Sequence, residues 1–131
     1  DSTIRVWDPS TWLCHQTLRG HTGGVMTLAE CNGQLVSGAD NDIIKVWDPS
    51  TWTFLKTLSG HTDSVWALTE CSGQLVSGAG DSTIKVWDPV TWICQQTLHG
   101  HTADVLALVE CSGRLVSGSD DETIKVWGEN T

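Results

Sequence analysis

Apolar residues along this chain fall in short runs that are rich in β-branched side chains and separated by polar, glycine-containing breaks. Val25 to Cys31 reads as a first strand. It ends at Asn32-Gly33, and its counterparts end at Ser72-Gly73 and Ser112-Gly113. Such dipeptides accept positive φ and make two-residue hairpin turns. Gln34 to Ser37 is a second strand, closed by Gly38 and the polar run Ala39-Asp40-Asn41, and Ile43 to Trp47 is a third. Asp48-Pro49 then turns the chain, proline supplying the φ of a first central turn position, and Trp52 to Leu58 is a fourth strand. Val25 and Leu28 are three apart, which breaks strict alternation and predicts a bulge in the first strand. No segment has helical periodicity.

This group of four recurs. Trp7, Trp47, Trp87 and Trp127 are spaced by forty residues, and so are Trp12, Trp52 and Trp92. Superposed copies give one template: Gly-His-Thr, a first strand, a Gly-containing turn, Leu-Val-Ser-Gly, a polar turn, Ile-Lys-Val-Trp, then Thr-Trp and a short run ending in Thr-Leu. Four short antiparallel strands repeated every forty residues describe propeller blades. The expected fold is all-β, with about three four-stranded antiparallel blades: a partial copy at 1–19 and repeats at 20–59, 60–99 and 100–131.

The whole chain resembles the WD-repeat family. Gly20-His21 leads to Trp47-Asp48, Gly60-His61 to Trp87-Asp88 and Gly100-His101 to Trp127, while a truncated copy supplies Trp7-Asp8 at the start. In that family a His, a Ser or Thr, an Asp and the Trp form a buried hydrogen-bonded quartet. The resemblance assigns these roles to His61, Ser77, Asp81 and Trp87, and to His101, Ser117, Asp121 and Trp127. The chemistry is coherent by itself. An indole N–H only donates, a hydroxyl accepts it and donates onward, and imidazole links the hydroxyl to a carboxylate.

The first repeat departs from this pattern. Its quartet is His21, Ser37, Asn41 and Trp47, and the Asn41 amide oxygen is expected to accept from His21 more weakly than a carboxylate, leaving this blade the least stable. The last repeat reads Trp127-Gly128 in place of Trp-Asp-Pro, so the turn is lost and the chain is expected to end near Thr131.

Counting strands gives thirteen: a third and fourth, two full blades, then a first, second and third. Family propellers close by joining an N-terminal fourth strand to three C-terminal strands. Known rings have about four to eight blades, and a bare repeat face is not stable alone. Other copies, making a homo-oligomer, or the missing remainder of a longer chain are therefore expected to complete the ring. The start at Asp1, inside a strand pattern, suggests a processed, excised or engineered piece.

Sixteen acidic residues against seven Lys and Arg give a formal charge of -9, which disfavours nucleic acid and membrane surfaces as partners. There is no apolar stretch of membrane-spanning length and no basic-then-apolar leader. Three of the five cysteines, Cys31, Cys71 and Cys111, hold one position of the repeat and point the same way rather than at one another. Disulfides are therefore not expected, and a reducing, cytoplasmic setting is. No close C-x-x-C spacing suggests zinc, and neither metal nor cofactor is expected.

Ser, His and Asp together invite a hydrolytic reading. They recur beside a Trp in each repeat, however, and Leu35-Val36-Ser37-Gly38 lacks the Gly that a nucleophile elbow places two before Ser. No catalytic residue is assigned.

Positions that differ between copies are free for a specific use: Gly23-Gly24, Asp63-Ser64 and Ala103-Asp104 before the first strand, Met26, Trp66 and Leu106 within it, and Asp40, Gly80 and Asp120 in the turn before the third. In WD-repeat proteins such positions surround the channel mouth, where partners dock. Met26, Trp66, Leu106, Asp40, Asp63, Asp104 and Asp120 are the candidate partner-binding residues, suited to a basic or amphipathic peptide or a flat protein surface. Trp66 is either an interface anchor or packing between blades. Trp12, Trp52 and Trp92 are expected to cover the blade edge. The expected function is a non-catalytic protein-interaction scaffold or adaptor, the alternative being a structural or engineered self-assembling propeller fragment without a natural ligand.

Overall fold

The computed structural model describes residues 1–128, and the end of the last repeat, 129–131, where the chain end was expected, lies outside the described residues. Within the described residues thirteen strands form four antiparallel sheets. A two-stranded sheet holds β1 (Ile4–Trp7) and β2 (Cys14–Leu18). The first full sheet holds β3 (Val25–Cys31), β4 (Gln34–Ala39), β5 (Ile44–Asp48) and β6 (Thr53–Leu58). The second holds β7 (Val65–Cys71), β8 (Gln74–Ala79), β9 (Ile84–Trp87) and β10 (Cys94–Leu98). β11 (Val105–Cys111), β12 (Arg114–Ser119) and β13 (Ile124–Trp127) form a three-stranded sheet.

The hairpin between first and second strands has positive φ at both central residues, 52° at Asn32 and 75° at Gly33. That is the twist-matched turn a right-handed ribbon favours. The expected first-strand bulge sits between Val25 and Thr27, so Met26, like Trp66 and Leu106, is the extra residue.

A second bulge, in the fourth strand, went unread: Trp47 pairs with Phe54 and Val46 with Lys56, leaving Leu55 over. The second strand also runs on through Gly38 to Ala39. Trp52 is not in the fourth strand. It closes the preceding turn at φ 58°, its N–H donating to the Asp48 carbonyl at 2.6 Å, while the Asp48 carboxylate accepts from Ser50 N–H at 2.9 Å in the manner of an Asx turn.

Apolar cores lie between neighbouring sheets. Ile4, Leu18 and Trp47 join the two-stranded sheet to the first full sheet. Val36, Val46, Leu58, Val65, Leu75 and Trp92 join the two full sheets. Val76, Ile84, Val105 and Leu115 join the second to the three-stranded sheet. Gly38 makes the middle joint close: a Cβ there would lie 2.7 Å from Val65 Cγ1, nearer than real Cβ atoms come. Gly78 receives Val105 in the same way, at 2.6 Å.

Candidate functional site

The ladder register builds the buried quartet. Leu75 pairs with Trp87 and Ser77 with Lys85, so Trp87 and Ser77 share one face as diagonal neighbours. The chain enters this sheet through Gly60, whose φ of 155° suits glycine, and His61 follows over the serine.

In the second full sheet every link is made. Trp87 Nε1 donates to Ser77 Oγ at 2.9 Å, Ser77 Oγ lies 2.7 Å from His61 Nε2, and His61 Nδ1 lies 2.9 Å from Asp81 Oδ2. Since the carboxylate can only accept, Nδ1 carries the proton and Nε2 accepts from the serine. Asp81 also accepts from Thr62 N–H and from the Thr83 hydroxyl and N–H. The three-stranded sheet repeats the pattern. Trp127 donates to Ser117 at 2.8 Å, and Ser117 and Asp121 lie 2.7 and 2.8 Å from His101.

The protonation states follow. Burial pushes the His61 imidazole below its ordinary 6.5, with Asp81 pulling the other way. For Asp81 burial acts upward, yet the hydrogen bonds from Thr83, Thr62 and His61 outweigh it and hold the carboxyl at about 2. Hydrogen bonds from Thr123, opposed by burial, hold Asp121 well below the usual carboxylate range.

The first full sheet corrects an expectation. His21 Nε2 reaches Ser37 Oγ at 2.6 Å and Trp47 Nε1 donates to the same oxygen at 2.9 Å, but Asn41 does not accept from His21. The Asn41 amide instead donates to Thr22 Oγ1 at 2.7 Å, leaving His21 Nδ1 and Asn41 Oδ1 buried with no partner. Ile43 adds to the loss, because at that position the Thr83 and Thr123 hydroxyls each donate to their carboxylates and isoleucine has no such donor. The signal was in the repeat comparison: Thr3, Thr83 and Thr123 against Ile43.

Serine, imidazole and carboxylate thus stand at distances a hydrolase would use, but Ser77 is 0% exposed and its oxygen already accepts an indole N–H. No substrate reaches it, and the arrangement ties strands together. Among the described residues no group of three or more His, Cys, Asp or Glu side chains could hold a metal ion.

The seven candidate partner-binding residues lie where first strands begin and second strands end. Asp40 N–H donates to the Gly24 carbonyl and Gly24 N–H to the Asp40 carboxylate, which sets Asp40 beside exposed Met26. Asp120 is tied to Asp104 likewise, by its N–H at 3.0 Å, next to exposed Leu106. Asp63 is exposed and accepts from Ser64 N–H. Trp66 is half-buried and reaches across to the next sheet, where its N–H donates to Asp104 Oδ2 at 3.1 Å.

Inter-sheet ties missed from sequence lie at the other end of the first strand. Glu70 accepts from Asn32 N–H of the preceding hairpin at 3.1 Å, and Glu110 does the same for Ser72. Beneath the first of these, burial pushes the Cys31 thiol up to about 12, and its hydrogen bond to Glu70 adds to the rise. Trp12, Trp52 and Trp92 share one backbone conformation but differ in burial: Trp12 is 70% exposed, Trp92 9%.

Strand order, repeat spacing and buried quartets define a repeat protein of the propeller type. The WD40 family, described as WD domain, G-beta repeat, matches residues 12–48, 52–88 and 92–128, and the chain belongs to it. Each matched stretch spans two sheets, the first running from β2 through β5. WD repeat-containing protein 86 of Homo sapiens is 57% identical over 28 residues, 21% of this chain and 7% of that protein, so the chain corresponds to a small part of this relative. Among solved structures, the computationally designed Ika4 protein is 39% identical, with a TM-score of 0.86 over 97% of this chain and 79% of that one. U3-55K is 28% identical, with a TM-score of 0.90 over 97% of this chain and 42% of its own.

Proposed function

We propose that the chain is a non-catalytic protein-interaction unit of the WD-repeat type, an arc of a propeller that presents one rim of its sheets to a protein or peptide. The observation that carries this reading is the division of labour among the polar groups. The repeated serines and histidines are buried in the quartets, whereas Met26, Leu106, Asp40 and Asp63, which vary, stay exposed along one rim. Acid beside apolar surface, on a chain of net charge -9, suits a basic amphipathic segment.

A synthetic Lys/Leu amphipathic peptide titrated into the chain tests it. Saturable binding that Asp63→Lys weakens severalfold and raised salt weakens further supports the reading; binding unchanged by Asp63→Lys, or none, contradicts it.

A second reading, a structural self-assembling unit without a natural ligand, is favoured by the near-identity of the copies and by the likeness to a designed propeller protein. Both readings require the half-built end sheets to be completed, by other copies or by further chain.

A further inference from the structure

A cavity of about 400 Å³ lies between the second full sheet and the three-stranded sheet, walled by Cys71, Val76, Val86, Leu98, Leu115 and Trp127. One repeat earlier, the matching wall of Cys31, Val36, Val46, Leu58, Leu75 and Trp87 belongs to a filled core, and Trp92 is the side chain that fills it. Its counterpart in the two-stranded sheet, Trp12, has the same backbone conformation and lies open to solvent. Among the described residues there is therefore one unfilled indole socket beside β13 and one exposed indole beside the β1–β2 hairpin.

We propose that a second copy of this chain closes the ring head to tail, its Trp12 entering this cavity and its β1–β2 hairpin completing the sheet begun by β11 and β12. The inference rests on the ring-completion reading above and adds the occupant, the contact and the number of copies.

Two further half-made contacts fall on the same joint. Val65 and Val105 press into Gly38 and Gly78, whereas a Cβ at Gly118 would meet only Ala107 Cβ, at 3.9 Å, so that groove awaits the Val25 of an incoming copy. Glu70 and Glu110 accept from the hairpin N–H groups of Asn32 and Ser72. By the same offset, Glu30 of the incoming copy meets Ser112.

At the joint β1 and β13 compete for one place. β1 is tied to β2 by the Asp8 turn, in which Asp8 N–H donates to the Leu13 carbonyl and the Asp8 carboxylate accepts from Ser10. β13 is the less buried of the two, with Ile124 76% exposed where Ile4 is 5%. β13 yields, and Trp7 takes the place of Trp127 both over Ser117 and as that wall of the socket. Asp1, already bonded by the Thr3 hydroxyl as Asp121 is by Thr123, comes to His101.

Each copy then supplies three complete sheets. Two copies make six and three make nine, and only six falls in the usual range of about four to eight blades. A head-to-tail contact that closes gives a finite ring rather than a fibre.

Native mass spectrometry of the full chain tests this, with 28.4 kDa expected, twice the 14.2 kDa of one copy. Trp12→Ala and Gly118→Val change positions that are open in the single chain, so each should leave the far-ultraviolet circular dichroism intact while raising the dimer Kd by roughly thirtyfold or more. A folded 14.2 kDa monomer overturns both this inference and the ring-completion reading. A closed assembly of three or more copies overturns the two-copy ring alone. A dimer indifferent to both substitutions overturns the assigned joint.

Discussion

The two full sheets carry the same Ser, His and Trp in the same register, yet one quartet is finished and the other is not. In the second sheet Asp81 gathers His61, Thr62 and Thr83. In the first, Asn41 turns its amide to Thr22, and one imidazole nitrogen and one amide oxygen stay buried without partners. The difference teaches that the carboxylate is the hub of the network. It accepts on both oxygens, so it collects donors from the entry loop and the third strand together, which a single amide oxygen facing one imidazole does not. The serine and indole half survives without it, because a hydroxyl satisfies both neighbours alone.

The contrast is broken most severely at the histidines. His61→Ala should lower stability by about 2–3 kcal/mol, since it strands a half-buried carboxylate and a buried hydroxyl, whereas His21→Ala should cost about 1 kcal/mol. Urea unfolding of the two variants side by side reads the gap, and equal losses would mean that Asp81 adds nothing. Next in size, Asn41→Asp with Ile43→Thr should stabilise the chain by about 1–2 kcal/mol, by giving His21 Nδ1 an acceptor and that acceptor its threonine donors. A thermal midpoint unchanged or lowered by this pair would count against the hub.

Acid should separate the sheets further. His21 and His61 have folded values below 6.5, so the unfolded chain binds more protons, and their contribution is complete above 6.5 and declines as pH falls below it. Asp81, at about 2 when folded, adds a contribution present above 3.8 that is lost as pH falls from 3.8 toward 2. Asn41 has no such group. Hydrogen exchange between pH 7 and 3 should therefore show the stability lead of the second sheet shrinking below pH 3.8; a lead that grows would contradict the assignment. The smallest effect is expected at Trp66→Phe, which removes only the bond to Asp104 and should cost about 0.5–1 kcal/mol, against no measurable change at Met26→Leu.

Much of this was legible in the residues. The forty-residue period, the Asn32-Gly33 type of turn and the three-residue step from Val25 to Leu28 led to thirteen strands, four sheets and the first-strand bulge. What escaped depended on geometry that no pattern encodes. Trp52 looks like a strand residue by propensity, but the turn held by Asp48 needs a left-handed residue before the strand begins. The fourth-strand bulge at Leu55 leaves no mark in alternation, because β6 is largely exposed and both faces accept similar residues. The free Asn41 oxygen reflects a competition won by Thr22, and the Glu70 tie joins residues thirty-eight apart on different sheets.

The central claim, that a carboxylate completes each finished quartet by fixing the imidazole proton on Nδ1, is tested most directly by proton and nitrogen NMR of the histidine rings. Slowly exchanging Nδ1–H signals from His61 and His101, with none from His21, are predicted. Protected signals from all three rings, or an Nε2–H form at His61, would contradict it.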